Sequence, residues 1–157
     1  MAEQGDEQGG GTSVGPNPTE IVTANDTDVS RPFIFDVAKI AGQTNLELMG
    51  EAAEADALLD LLGRDLVTRT IIQTPELTVY HETAAPGESV KPHRHGTYQV
   101  NFVLRGELFF GSKRVGPGMG YFSPDKLYAW RAGDEGAEWI EIHSGQVGIY
   151  SEPAEAR

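Results

Sequence analysis

From Leu66 onward, Gly, Pro and Asp cut the chain into short apolar stretches, and this spacing constrains the fold more than any other feature. Val67–Gln73 and Leu77–Thr83 are β-branched or alternating, and Pro86-Gly87 marks a turn. Glu88–His95, Tyr98–Leu104 and Glu107–Ser112 follow at tight intervals. After a second turn at Pro117-Gly118 come Gly120–Ser123, Tyr128–Arg131, Glu138–His143 and Val147–Ser151. Short runs with period-two alternation and turn residues between them read as an antiparallel sandwich or barrel. The expectation is an all-β domain of eight or more strands over residues 66–157. No internal repeat suggests a propeller or solenoid.

Upstream, one helix is readable. Thr44 and Glu47 fit a capping box, and Gly63 stands where a C-cap glycine belongs. Leu48, Ala52, Ala55, Leu59 and Leu62 recur between them at helical spacing, with Gly50 weakening the first turn. This predicts a helix near Thr44–Leu62 inside an N-terminal extension, residues 31–65. Residues 1–30 carry six acidic residues, three consecutive glycines and no Lys or Arg. Such a segment buries too little apolar area to offset its ordering entropy, so a disordered tail is expected there.

At 157 residues the chain has the size of one domain, with room for a well-buried core. It has no cysteine, which excludes thiol catalysis, iron–sulfur clusters and thiolate zinc sites. Its net charge of -12 disfavours nucleic acid and anionic lipid as partners. No apolar run has the length of a membrane span, no signal-peptide pattern opens the chain, and a cytoplasmic location is expected.

The chemistry concentrates between Gly87 and Gly106. His93 and His95 are two apart, so on a strand both imidazoles project from one face. Gly96-Thr97 turns the chain, and Gln99 opens the next strand beside them. Two imidazoles and a side-chain oxygen suit a divalent first-row metal.

Gly87, His93, His95, Gln99 and Gly106 reproduce the spacing of the first motif of the cupin superfamily, which this stretch resembles. Gln99 stands where that family usually has Glu. In the degenerate second motif, after Pro124, Tyr128 falls at the position of the usual third His. The resemblance implies a jelly-roll β-barrel over about residues 67–151, in agreement with the strand pattern. It implies that His93, His95, Gln99 and Tyr128 surround a metal position for Fe, Mn, Zn or Ni. It also implies a homodimer. Gln in place of Glu removes a negative charge, leaves a bound ion a stronger Lewis acid, and tilts the expectation toward redox-neutral chemistry. A Tyr128 phenolate ligand requires the phenol pKa to fall from ~10.

Other residues are read more simply. His143 shares a register with Trp139 and Glu141; an exposed strand-end position is the plainer expectation, a substitute ligand or general base the sharper one. Tyr128 and His143 are the candidate proton-transfer groups. His81 reads as structural or surface, and Asp125 as a turn former. Tyr98, Phe102, Phe109, Phe110, Phe122 and Trp130 read as core or barrel lining, some walling a pocket for a small organic molecule. Arg105 and Arg131 are surface residues or partners of a substrate carboxylate. Three readings follow: a metal-dependent lyase, isomerase or dioxygenase; a non-catalytic ligand-binding or sensor protein; and an accessory dimer module.

Overall fold

The computed structural model describes residues 29–50 and 53–154. The expected tail up to residue 28 lies outside the described residues, as do Glu51 and Ala52 of the expected helix. A 3₁₀ turn, Val37–Lys39, leads into β1 (Gln43–Thr44). Two helices follow, α1 (Asn45–Met49) and α2 (Ala53–Leu62). Then come β2 (Val67–Gln73), β3 (Thr78–Ala84), β4 (Ser89–His93), β5 (Tyr98–Phe110), β6 (Lys113–Val115), β7 (Gly120–Pro124) and β8 (Tyr128–His143).

The helical region is two helices where the sequence suggested one. The capping box forms: Thr44 N–H donates to Glu47 Oε2 at 2.7 Å, and Glu47 N–H donates to Thr44 Oγ1 at 3.1 Å. Gly50 then adopts φ 75°, a left-handed conformation that ends α1. Asn45 Nδ2 donates to the carbonyls of Leu62 and Gly63, tying the start of α1 to the end of α2. Through Leu59 and Leu62, buried on its inner side, α2 packs on β4.

All eight strands join one antiparallel sheet, ordered β1-β2-β3-β8-β5-β6, with β4 added on β8 and β7 on β5. The sheet curls into a jelly-roll β-barrel. Two pairs of expected strands are in fact single long strands: β5 runs 13 residues and β8 runs 16. Each turns a barrel corner at a glycine of positive φ, Gly106 in β5 and Gly136 in β8. A Cβ on Gly106 would overlap the Gly136 carbonyl oxygen, and one on Gly136 would overlap the Ala84 carbonyl oxygen of β3, so each corner requires its glycine. The expected strand Val147–Ser151 is not one; only an Arg94–Tyr150 bridge forms there.

Val103, Leu108, Phe110, Trp130, Ala132 and Trp139 fill one end of the barrel, with the two indoles edge-to-face at 5.1 Å. Along β5 the alternation is clean from Tyr98 to Leu104, and Gln99, Asn101 and Val103 point inward. Fixing Gln99 inward turns Tyr98 and Phe102 outward, so these two, and Phe122 of β7, are exposed rather than core. No helix among the described residues is long and apolar enough to cross a membrane.

Candidate metal centre and cavity

His93 ends β4 opposite Tyr128 of β8, and its side chain is buried. The connection that follows is held from outside. Arg94 exchanges backbone hydrogen bonds with Tyr150 at 2.9 Å, its guanidinium stacks over the Tyr150 ring, and its Nη1 donates to both Asp125 oxygens. Asp125 also accepts from Gly96 N–H at 2.8 Å. With Arg94 clamped outside, His93 and His95 face inward, their ring centroids 4.9 Å apart.

The hydrogen bonds of the two rings fix their tautomers. A carbonyl only accepts, so His93 Nδ1–H donates to Lys91 O and His95 Nδ1–H donates to Gly148 O, each at 2.8 Å. Each ring therefore keeps its Nε2 lone pair, the arrangement of imidazoles that hold metals. Burial lowers the pKa of both, that of His95 to about 4, so both rings are neutral near pH 7.

The opposite wall comes from strand register. Gln99 pairs with His143 and Asn101 with Glu141 across β5 and β8; Thr78, Tyr80 and Glu82 of β3 pair with His143, Glu141 and Trp139. Period two then sends all these side chains to the inner face. His143 Nε2 meets Glu141 Oε1 at 2.7 Å, its Nδ1 meets Thr97 Oγ1 at 2.9 Å, and Trp139 Nε1–H donates to Glu141 Oε2. A second chain crosses the site. Gln99 Nε2 donates to Asn101 Oδ1 and to the Tyr128 hydroxyl at 2.7 Å, and that hydroxyl donates to His95 Nε2 at 3.0 Å.

Three carboxyl and phenol groups are pushed apart in acidity. Burial alone would raise Glu141, but its hydrogen bond to His143 and the nearby imidazoles hold it down to about 2. Burial and then the Glu141 charge push Glu82 well above the carboxylate range, against a hydrogen bond from Thr68. Burial, helped by Glu141, raises Tyr128 well above 10, so it is a neutral phenol here. Two carboxyl groups pushed apart in this way, Glu141 down and Glu82 up, are the pattern that separates base from acid in one cavity.

These groups open into a cavity of about 260 Å³. Its polar floor holds His93, His95, Glu141 and Glu82; Trp130 and Trp139 wall it, and Leu48, Met49 and Leu62 of the helices close its mouth. No Lys or Arg lines it.

No protein-family model and no curated protein sequence matches this chain. Solved structures do. The polyketide cyclase RemF from Streptomyces resistomycificus is 15% identical over 80% of this chain and 89% of its own, with a TM-score of 0.57. The DMSP lyase DddQ from Ruegeria pomeroyi is 17% identical over 76% of this chain and 64% of its own, with a TM-score of 0.55. An RmlC-like cupin from Shewanella frigidimarina is 21% identical over 51% of this chain and 76% of its own, at 0.47. The chain has the cupin fold.

In this fold the four motif residues converge. His93, His95, Gln99 and Tyr128 are all buried; the first two and Tyr128 line the cavity, and Tyr128 joins His95 to Gln99 behind it. His143 is a correction to the plainer expectation: it is 0% exposed, because its register with Gln99 sends it inward. His95, Glu141 and His143 offer donor atoms within 4.8 Å of one another, a cluster able to hold a metal ion. Sequence reasoning missed Glu141 and Glu82. The alternation Trp139, Glu141, His143 was the available signal for Glu141; for Glu82, the cross-strand Thr68 is visible only in the fold. His81 is buried on the other face of β3 against Glu138, away from the cavity, and Asp125 forms its turn at φ 59°. Arg105 is exposed and Arg131 stacks on Phe109, so neither reaches the cavity.

Proposed function

We propose that the protein is a metal-dependent enzyme acting on a small organic molecule, with a divalent transition metal held by His95, Glu141 and His143. The convergence of these three donors, from the β4–β5 connection and the end of β8, carries the reading: they lie within 4.8 Å of one another, with His95 and Glu141 facing the cavity and His143 buried behind them. Two imidazoles and a carboxylate suit Fe, Mn, Zn or Ni. Such an ion would supply a Lewis acid that polarises a substrate carbonyl or hydroxyl. His93 stands beside the cluster with its Nε2 lone pair free.

The chain's own residues do the rest. Glu82 presents a carboxyl group to the cavity whose pKa burial and the Glu141 charge raise, making it the proton-holding carboxyl of the pair, while the Thr68 hydroxyl orients it. Tyr128 holds a proton on its hydroxyl, and Gln99 orients it. The indole walls, buried in the barrel, surround the polar groups with apolar surface, which strengthens each polar contact beside them. The cyclase and lyase names of the two structural neighbours support a lyase or isomerase reading over a dioxygenase.

One observation favours a second reading, a metal-free ligand-binding cavity: the Nε2 atoms of His95 and His143 are already partnered by Tyr128 and Glu141. Calorimetric metal titration separates the two. Metal binding at these atoms must displace protons, so the heat should depend on the buffer's ionisation enthalpy. His143→Ala should lower metal affinity at least tenfold with circular dichroism intact, as loss of a ligand does. Undetectable binding to the wild type would leave the ligand-binding reading in possession.

A further inference from the structure

Backbone strain marks the turn between β7 and β8. Asp125 has φ 59°, and among the described residues it is the one non-glycine at positive φ. Aspartate tolerates this conformation better than most residues, but glycine takes it without strain. The Asp125 side chain does what a glycine could not: it accepts from Gly96 N–H at 2.8 Å, and Arg94 Nη1 donates to both of its oxygens at 3.2 Å. Arg94 and Gly96 are the two chain neighbours of His95. The Arg94 and Asp125 side chains are only 14% and 19% exposed, so water competes little for the pair. Three residues beyond Asp125, Tyr128 pairs with His93 across β8 and β4. Residues 93–96 and 125–128 are therefore pinned together at both ends. Between the pins, the Tyr128 hydroxyl meets His95 Nε2 at 3.0 Å.

We propose that Asp125 is a positioning residue for the histidine wall: by holding Arg94 and Gly96 it sets the aim of the His95 ring toward Tyr128 and the cavity. Asp125 itself lines no part of the cavity and offers no donor to the His95–Glu141–His143 cluster. It acts by two routes. Gly96, at φ 75°, gives the chain directly after His95 little intrinsic stiffness, and the bond from its N–H to Asp125 removes that freedom. The second route runs through Arg94. His95 Nδ1–H rests on the Gly148 carbonyl, and that stretch is itself held by the backbone bonds between Arg94 and Tyr150. Fixing Arg94 therefore also fixes the prop behind the ring. A residue that only formed the turn would do neither; glycine at 125 would serve the turn and release the wall. That a metal ion feels the change rests on the function proposed above, whereas the aim of the ring does not.

The test uses the full chain, with Zn²⁺ as the probe. Asp125→Gly keeps the backbone of the turn and deletes both side-chain contacts. It should fold with unchanged circular dichroism and bind Zn²⁺ roughly 10- to 100-fold more weakly in calorimetric titration, as loss of a ligand's supporting partner does. Asp125→Asn keeps an oxygen for Gly96 N–H and tolerates the positive φ, so it should recover most of that loss. A second readout needs no metal. In two-bond ¹H–¹⁵N spectra of the metal-free chain at alkaline pH, where the rings are neutral, wild-type His95 should show the Nδ1–H tautomer. Asp125→Gly should show a mixture of both tautomers, while His81, on the other face of β3, stays unchanged as the internal control. Zn²⁺ binding at wild-type strength in Asp125→Gly overturns the proposal, as does an unchanged His95 tautomer, and so do equal losses in Asp125→Gly and Asp125→Asn. If the wild type binds no Zn²⁺, the metal reading falls and the tautomer alone decides: mixing in Asp125→Gly sustains the proposal, and an unchanged ring overturns it. Should Asp125→Gly not fold, Arg94→Met takes its place, since it leaves the Gly96 bond and removes the second route. Both readouts should then move in the same direction, and wild-type values in both overturn the proposal.

Discussion

The two faces of β5 reverse the usual arrangement of a strand. Inward it places Gln99 and Asn101, both hydrogen-bonded and buried; outward it places Tyr98, Val100, Phe102 and Leu104, all exposed. A strand that only had to fold would do the opposite, because burying amides yields little and exposing aromatics forgoes apolar burial. The comparison teaches that neither face is optimised for the stability of the single chain. The inner face is committed to a polar cavity, and the outer one leaves its apolar side chains exposed.

The reversal can be tested face by face. The largest effect belongs to the inner face at its apolar end. Trp139→Ala removes a fully buried indole and its edge-to-face partner contact, and should cost about 3–5 kcal/mol in urea unfolding. A loss below about 1 kcal/mol would mean the barrel collapses around the gap.

Acid should act next, and only through the inner face. Burial holds His95 neutral down to about pH 4, while a histidine in an unfolded chain titrates at about 6.5. As pH falls below 6.5 the unfolded chain takes up a proton that the folded chain refuses. Stability is therefore fully present above pH 6.5 and is lost progressively between 6.5 and about 4, on the order of 3 kcal/mol. His95→Gln should flatten that part of the pH profile; an unchanged slope would place the titrating group elsewhere.

Tyr128→Phe sharpens the inner side. It removes the hydroxyl shared by His95 and Gln99 and should cost about 1–2 kcal/mol, since a buried amide loses its acceptor. Metal affinity should not fall, because the proton capping His95 Nε2 goes with it; a clear drop would identify the phenol oxygen as a ligand. Smallest of all should be Phe102→Gln on the outer face. It should change stability by less than about 0.5 kcal/mol, read from urea unfolding, because the side chain is already exposed.

The sequence made the cavity's near wall legible and its far wall only partly so. His93, His95 and Gln99 sit within seven residues of one another, so strand spacing alone brings them together. Tyr128 was placed by its distance from Pro124. His143, Glu141 and Glu82 reach the site through long-range register, β8 against β5 and β3, which no local pattern encodes. The strands themselves were legible from turn spacing. Their merging into β5 and β8 was not, because Gly106 and Gly136 look like turn residues until the close crossing of their backbones is known. The same alternation that marked Tyr98 and Phe102 as strand residues did not say which face was inside; Gln99 decided that.

His95 is steadied by the carbonyl of Gly148, 53 residues further along the chain, and Arg94 is pinned by Tyr150. A growing polypeptide that has emerged only as far as the β5 turn therefore carries the histidine pair without the prop that aims it. The wall that carries the pair takes its final shape only after residues 148–150 have been made and have wrapped back over the barrel. A change that stiffens or lengthens the chain between His143 and Gly148 would compete with that wrapping step.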